Sequence, residues 1–474
     1  MEQWVTDWLH EQRELGEKCL EIKYINGKHY VYHSTSKYDK VTKGPKKVSK
    51  YVGRLIEHVG LVVKGEKPKN FTTKIKSVTE YGNSLFLHQE FGEIVQLLKI
   101  AFPDDWKEIV AMVITRVDGY CPLKRVKDKW EKLTNIGKIL PNCDPKNLGK
   151  VLYRIGQNRS AQEHIFSNLT ENEDKLIYDL SYVFSDSENL QIAEKGYNGK
   201  RNFLPQVNIA LFSGIDSNLP LMIRGIPGSV KDVKTLEKSL TEFDIKDATL
   251  ILDRGFISEA ILPLFDERRI NYVQPLRRNS DFYQVRIHFT KHFSYHDRFI
   301  HCGKRKVDNH WIYSFKDTIL ASIEEANLYQ KMESDSIKKD EFSVKIKKVG
   351  MILIRSNLDM EPEEVYGLYK SRDLVEKHFE TFKSELSADK LYLQDSFSVF
   401  GHFFVAFLSL YLYCRILNIL KGANLNNKYS PKDLLIKFSK VYEVVSEAHM
   451  IITEVPKQVR IISEAINFHI VPKI

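Results

Sequence analysis

Apolar and polar positions change their period several times along the chain. Around residues 20–54 they alternate as in strands: EIKYI and KHYVYH flank Asn26-Gly27, a pair that favours a tight hairpin turn. VTKGPKK at 41–47 forms a second, basic turn. From 82 to 168 the spacing turns helical, in LFLHQEFGEIVQLLKIAF and DWKEIVAMVITRV, with Pro103 and Pro122 as punctuation. Strand-like runs then follow at 175–185, 206–213 and 219–226, with a turn at 196–203 before the second. A helical stretch at 229–243 leads to ATLILDRGF (248–256), an apolar run closed by a charged pair, as in a buried central strand. A helix at 257–269 and a strand at 270–276 complete a β-β-β-α-β-α-β order, which predicts a mixed α/β sheet flanked by helices.

Residues 279–357 break this rhythm. Short polar strand candidates such as FYQVRIHF and HWIYSF, with a charged stretch at 330–348, read as a β-rich insertion. VGMILIRSNL (349–358) returns to a core strand, and a long helix starts near Pro362, a residue suited to a first helical turn. The run FFVAFLSLYLYC at 403–414 is flanked by His402 and Arg415. It is shorter than the ~20 apolar residues of a membrane span and predicts a buried helix, so no membrane partner is expected.

Composition sharpens this outline. At 474 residues several domains are expected. Lysine and arginine total 71 against 62 acids, a net charge of +9, and their placement says more than the sum. Residues 23–54 carry Lys23, Lys28, Lys37, Lys40, Lys43, Lys46, Lys47, Lys50 and Arg54 against the single acid Asp39, interleaved with Tyr24, Tyr30, Tyr32, Tyr38 and Tyr51. Such lysines neutralise phosphates and such tyrosines pack on sugars or bases, so Lys43, Lys46, Lys47, Lys50 and Arg54 are candidate DNA contacts. A solvated lysine-rich hairpin is the plainer alternative. The five cysteines show no metal-ligand spacing and are odd in number, which argues against a zinc finger or a disulfide framework and fits a reducing cytoplasm. The N-terminus has no apolar signal core.

Three acids carry the candidate chemistry. Asp179 lies within the first core strand, Asp253 ends Leu250-Ile251-Leu252, and Glu376 lies on the long helix. A carboxylate at a buried strand end is costly unless it is paired or binds a metal. Two aspartates on neighbouring strands and a glutamate from a packed helix can hold two Mg²⁺ ions, with Mn²⁺ as a substitute, for phosphoryl transfer. Each acid alone reads as an ordinary surface acid, and Asp174 and Asp186 compete with Asp179 for the first position. On the helix, Tyr369, Arg372, Glu376 and Lys383 fall within a sector of roughly 60° at ~100° per residue. The stripe Leu368, Val375, Phe379, Phe382 and Leu386 beside them can pack on the sheet.

Tyr369-(2)-Arg372-(3)-Glu376-(6)-Lys383 resembles the YREK signature of the insertion-sequence-four superfamily of DDE transposases in every element and spacing. Tyr178-Asp179, Gly196-Tyr197 through Pro205-Gln206-Val207, and Asp253-Arg254-Gly255-Phe256 resemble its other motifs, so the likeness covers about 169–425. It implies a ribonuclease H-like catalytic core interrupted by an insertion. It further implies recognition of terminal inverted repeats in double-stranded DNA, cleavage at the element ends, and transfer of a 3′-hydroxyl into target DNA. Asp179, Asp253 and Glu376 would be catalytic metal ligands. Tyr369, Arg372 and Lys383 would contact DNA, and a homodimer would hold paired ends in a prokaryotic cytoplasm. Trp311 is a candidate for the insertion aromatic that related enzymes place against a flipped base, an ordinary core role being the alternative. The implied organisation is a basic DNA-binding unit at 1–75, a helical region at 76–168, core segments at 169–278 and 358–425 around the insertion at 279–357, and a helical tail at 426–474. Rival functions are a catalytically inactive, transposase-derived DNA-binding protein and another ribonuclease H-like nuclease such as a junction resolvase.

Overall fold

The computed structural model describes residues 2–40, 42–65, 75–185, 187, 189–196, 204–230, 232–256, 258–447 and 449–470. They form two compact units, one of Met1–Ser77 with Val445–Met450 and one of Val78–Val444 with Ile451–Ile474.

In the smaller unit, helix α1 (Gln3–Glu14) precedes strands β1 (Leu20–Ile25), β2 (Lys28–Asp39), β3 (Gly44–Ile56) and β4 (Gly60–Val63), an antiparallel sheet in sequence order. Asn26 and Gly27 both take positive φ, 49° and 74°, the conformation a two-residue hairpin needs and the reason this pair is legible as a turn. Val5 packs with Val31 and Leu55 under Trp4 and Trp8, so α1 covers one face of the sheet near its base.

After β5 (Ile75–Glu80), the larger unit opens with helices α2 (Gly82–Glu90), α3 (Gly92–Ala101), α4 (Trp106–Val117), α5 (Val126–Lys132), α6 (Pro145–Gln157) and α7 (Arg159–Thr170), as the helical spacing predicts. The sheet segment runs β6 (Lys175–Phe184), β7 (Glu194–Lys195), β8 (Pro205–Gly214), β9 (Pro220–Pro227), α8 (Asp232–Glu242), β10 (Thr249–Ile251), α9 (Leu262–Glu267) and β11 (Asn271–Pro275). The 196–203 turn lies almost wholly outside the described residues. β6, β8 and β9 pair antiparallel, while β10 pairs parallel with both β6 and β11, giving the order β9-β8-β6-β10-β11. The helix expected at 257–269 is shorter, because Pro263 sits in its first turn and Arg269 takes φ 53° just beyond its end.

Residues 279–357 depart from the expected insertion in two ways. Strands β12 (Lys291–Tyr295), β13 (Arg298–Val307), β14 (His310–Asp317) and β15 (Met351–Ser356) extend the main sheet, since β15 pairs with β11, and no separate sheet forms among the described residues. FYQVRIHF is not a strand: Asp281–Gln284 is a 3-10 turn capped by the Ser280 hydroxyl. The charged stretch belongs to α10 (Thr318–Glu333) and α11 (Lys339–Ile346).

The predicted long helix is divided into α12 (Pro362–Lys370) and α13 (Asp373–Glu380), followed by a π-helical turn at Thr381–Glu385. α14 (Ser396–Gly422) has 27 residues and reaches well beyond the apolar run at both ends. By length and composition it is long and apolar enough to cross a membrane, but 78% of its most apolar window is buried inside the protein. It is the central core helix, packed on α6, α4 and β9. Gly156 and Gly401 make the α6 crossing feasible, because a Cβ at either would strike backbone of the other helix within 2 Å. α15 (Pro431–Phe438) and α16 (Lys457–Ala465) follow.

Candidate active site

The site begins with strand register. β10 pairs with β6 as Thr249 with Lys175, Leu250 with Leu176 and Ile251 with Ile177. Asp253 comes two residues after Ile251, the last paired residue of β10, as Asp179 comes two residues after Ile177 on β6. Leu250, Ile251 and Leu252 are fully buried, so the carboxylate emerges where the strand leaves the core. Leu252 N–H donates to the Val273 carbonyl, and the buried Gln274 side chain donates to the Asp253 carbonyl (3.1 Å), which fixes the backbone there. Phe256, last residue of the D-R-G-F motif, anchors the turn edge-on against Tyr178, 5.1 Å between ring centroids.

α13 brings the third acid. Its buried side, Val375, His378 and Phe379, faces the core, while Glu376 is largely exposed. His378 Nδ1 lies 2.8 Å from the Ser213 hydroxyl on β8, and its ring also bonds the Asn218 backbone. Burial lowers the His378 pKa to about 4, so the ring is neutral and acts as a fixed hydrogen-bonding wedge.

Arg372 joins the acids. Its guanidinium lies 3.1 Å from the Asp253 carboxylate and 3.9 Å from that of Glu376, with the side chain only 15% exposed. Asp179 is pushed up to about 6, chiefly by burial and further by the negative charges of Asp253 and Glu376; the Leu180 backbone and Arg372 oppose the rise. The three predicted acids thus share one electrostatic neighbourhood. Among the described residues no three His, Cys, Asp or Glu side chains are drawn close enough to hold a metal ion as they stand. The donor set itself suits Mg²⁺ or Mn²⁺: carboxylate oxygens only, mutually repelling, with a cation already paired to two of them.

Lys383 extends the site along β6. It donates to the Ser181 hydroxyl at 2.7 Å and lies 4.9 Å over the Tyr182 ring. Ser181 follows Asp179 by two residues and so shares its face of the sheet. Tyr369 is half-buried against Tyr366 and carries Lys370 over its ring. The competing Asp174 is exposed ahead of the strand, and Asp186 lies outside the described residues, as does Tyr197 of the G-Y motif. Trp311, on β14, is half-buried against the core with Lys304 above its ring at 5.1 Å, an ordinary packed position.

Lys43, Lys46, Lys47 and Lys50 are exposed on the β2–β3 hairpin of the smaller unit, and Arg54 is half-buried in its sheet. Sequence reasoning missed Ser181, Gln274, Ser213 and His378. Only Ser181 and His378 carried a local signal, each standing two residues from a predicted acid.

Residues 179–412 match the family model described as the transposase DDE domain, a stretch that starts at Asp179 and contains Asp253 and Glu376. No curated protein matches the chain. Among solved structures, a piggyBac transposase synaptic complex with hairpin DNA is similar at 10% identity and a TM-score of 0.41, over 76% of this chain and 79% of that one.

Proposed function

We propose that the chain is a DNA transposase of the DDE type that binds terminal inverted repeats, cleaves the element ends and transfers the 3′-hydroxyl strand into target DNA. The observation that carries this reading is that Asp179 on β6, Asp253 just past the end of the parallel neighbour β10, and Glu376 on α13 act on one another electrostatically around Arg372, inside the stretch that matches the transposase family. The strand order β9-β8-β6-β10-β11 supports a ribonuclease H-like core, and the YREK spacing supports the insertion-sequence-four superfamily.

Asp179, Asp253 and Glu376 would hold two Mg²⁺ or Mn²⁺ ions, whose chemistry is to stabilise charge on the attacking and leaving oxygens of phosphoryl transfer. Arg372 and Lys383 flank the acids and neutralise DNA phosphates, with Tyr369 beside the cleaved end. The basic smaller unit supplies sequence-independent affinity, and a homodimer holds the paired ends in the cytoplasm of a prokaryotic host.

The test is release of a 3′-hydroxyl end from a labelled duplex carrying the inverted repeat found beside the gene. Wild type should cleave in Mg²⁺ or Mn²⁺. Asp179→Asn, Asp253→Asn and Glu376→Gln should each cost orders of magnitude in cleavage and leave DNA binding largely intact. A wild type that binds the ends but cuts in neither metal would transfer the reading to a DNA-binding protein without catalysis.

A further inference from the structure

The β2–β3 hairpin outgrows the sheet that supports it. β1 accompanies β2 only as far as His33, and β4 accompanies β3 only from Gly53 onward. Between these limits β2 and β3 pair with each other from Ser34–Ser49 out to Asp39–Gly44, a two-stranded ribbon projecting roughly 15–20 Å at the usual strand rise. Pro45 through Lys50 are all exposed, and β2 is exposed or half-buried along the same length, so neither face has an apolar cover. An isolated hairpin is marginal in water, which makes this length unexplained by the unit's own stability.

Its chemistry is equally one-sided. The ribbon and its tip carry Lys37, Lys40, Lys43, Lys46 and Lys47 against one acid, Asp39, with Lys50 at the foot opposite His33; Lys47 reaches back to Glu21 of β1 at 2.7 Å. Lys37 stands directly opposite Lys46, a like-charged cross-strand pair that Asp39, 3.8 Å from Lys46, offsets only in part. At the ribbon's base, Lys23 lies 4.5 Å over the Tyr32 ring, and Tyr51 packs between Tyr30 and Tyr32. The opposite face of the sheet is closed by α1, whose flank and body carry Glu2, Asp7, Glu11 and Glu14. The basic charge of the unit is thus concentrated on the ribbon rather than on α1.

We propose that the β2–β3 ribbon inserts into the major groove of duplex DNA, with its lysines on the phosphates of both walls. The B-DNA major groove, about 12 Å wide, admits a two-stranded β-ribbon as it stands, whereas the minor groove, about 6 Å wide, takes one only if the duplex is widened or bent. This deepens the transposase reading and rests on its DNA partner; it assigns the element, the groove and the mode of entry.

The experiment compares binding of the full chain to two duplexes of about 30 base pairs and identical sequence, roughly three helical turns. One has ordinary cytosines. The other has glucosylated 5-hydroxymethylcytosines, which fill the major groove and leave phosphates and minor groove unchanged. Wild type should lose about tenfold or more in affinity on the filled duplex. A Lys37→Gln/Lys46→Gln/Lys50→Gln variant, altered only at exposed positions away from the Val5–Val31–Leu55 core, should bind the ordinary duplex more weakly. Its slope of log K against log salt should be shallower by ~0.9 for each phosphate no longer neutralised, with little sensitivity to groove filling. Equal wild-type affinity for both duplexes overturns the inference, as does a variant that keeps full groove sensitivity; either result leaves the transposase reading standing. A wild type that binds neither duplex removes the DNA partner itself, and both readings fall.

Discussion

Asp179 is legible in the sequence as an acid among apolar neighbours, and burial gives that oddity a measurable sign. Its folded pKa of about 6 exceeds the ordinary 3.8, so between about pH 4 and 6 the folded chain holds a proton that the unfolded chain has released. Folding stability attributable to this group therefore falls as pH rises through that window, and the full cost is present above it. Asp179→Asn removes the charge but keeps the shape. In metal-free buffer the variant should melt several degrees above wild type at pH 8, with the gap closing as pH falls toward 4. A gap that is constant with pH would mean Asp179 does not carry the buried charge. Arg372 and Lys383 are legible from spacing alone, but their partners, Asp253, Glu376 and Ser181, are not. Arg372→Ala and Lys383→Ala should each weaken binding to end DNA by about 1.5–3 kcal/mol, the scale of a charge-assisted contact. Lys377→Ala, at an exposed position outside those pairings, should change the dissociation constant little; an equal loss there would mean the helix faces DNA differently.

For the helix that carries Glu376, the apolar stripe was readable and the backbone was not. Val375, Phe379, Phe382 and Leu386 are buried as the spacing predicts. The assumption of a constant ~100° per residue fails twice. At the α12–α13 junction the Leu374 and Val375 N–H groups bond three residues back, which tightens the turn, whereas Leu386 N–H reaches five back to Thr381, which loosens it. The groups that hold these departures are remote in sequence. Arg116 donates to the Leu386 carbonyl, the His402 ring lies 3.0 Å from that of Ala388, and Ser213 meets His378. No local pattern announces such partners. Ser213→Ala leaves the buried His378 Nδ1 without its partner, at a cost of about 1–3 kcal/mol. Denaturant melts should show that loss, and cleavage should fall further than DNA binding because Glu376 rides on the same helix. Unchanged stability together with unchanged cleavage would remove Ser213 from any role in positioning α13.

At the scale of the whole molecule, the central helix shows how composition can identify an element and misjudge its extent. The apolar run at 403–414 marks a buried helix, yet α14 is more than twice that long because Ser396–His402 and Arg415–Gly422 continue it with mixed polar and apolar residues, of which Val399, Ile416 and Leu420 are buried. The division into two units has a sharper consequence. The large core contains none of the smaller unit's buried residues, Val5, Val31 and Leu55, which form their own cluster. A chain lacking residues 1–65 should therefore retain one cooperative thermal transition and, at low salt, metal-dependent cleavage. What it should lose is electrostatic affinity. Six lysines on the ribbon, at its tip and at its foot, at ~0.9 per phosphate neutralised, account for up to ~5 in the slope of log K against log salt. Titrations of the full and truncated chains on one duplex across a salt series measure that difference directly. If the truncated chain keeps the full slope, the phosphates are neutralised in the larger unit, and the basic segment at 23–54 is the solvated hairpin that its sequence equally allows.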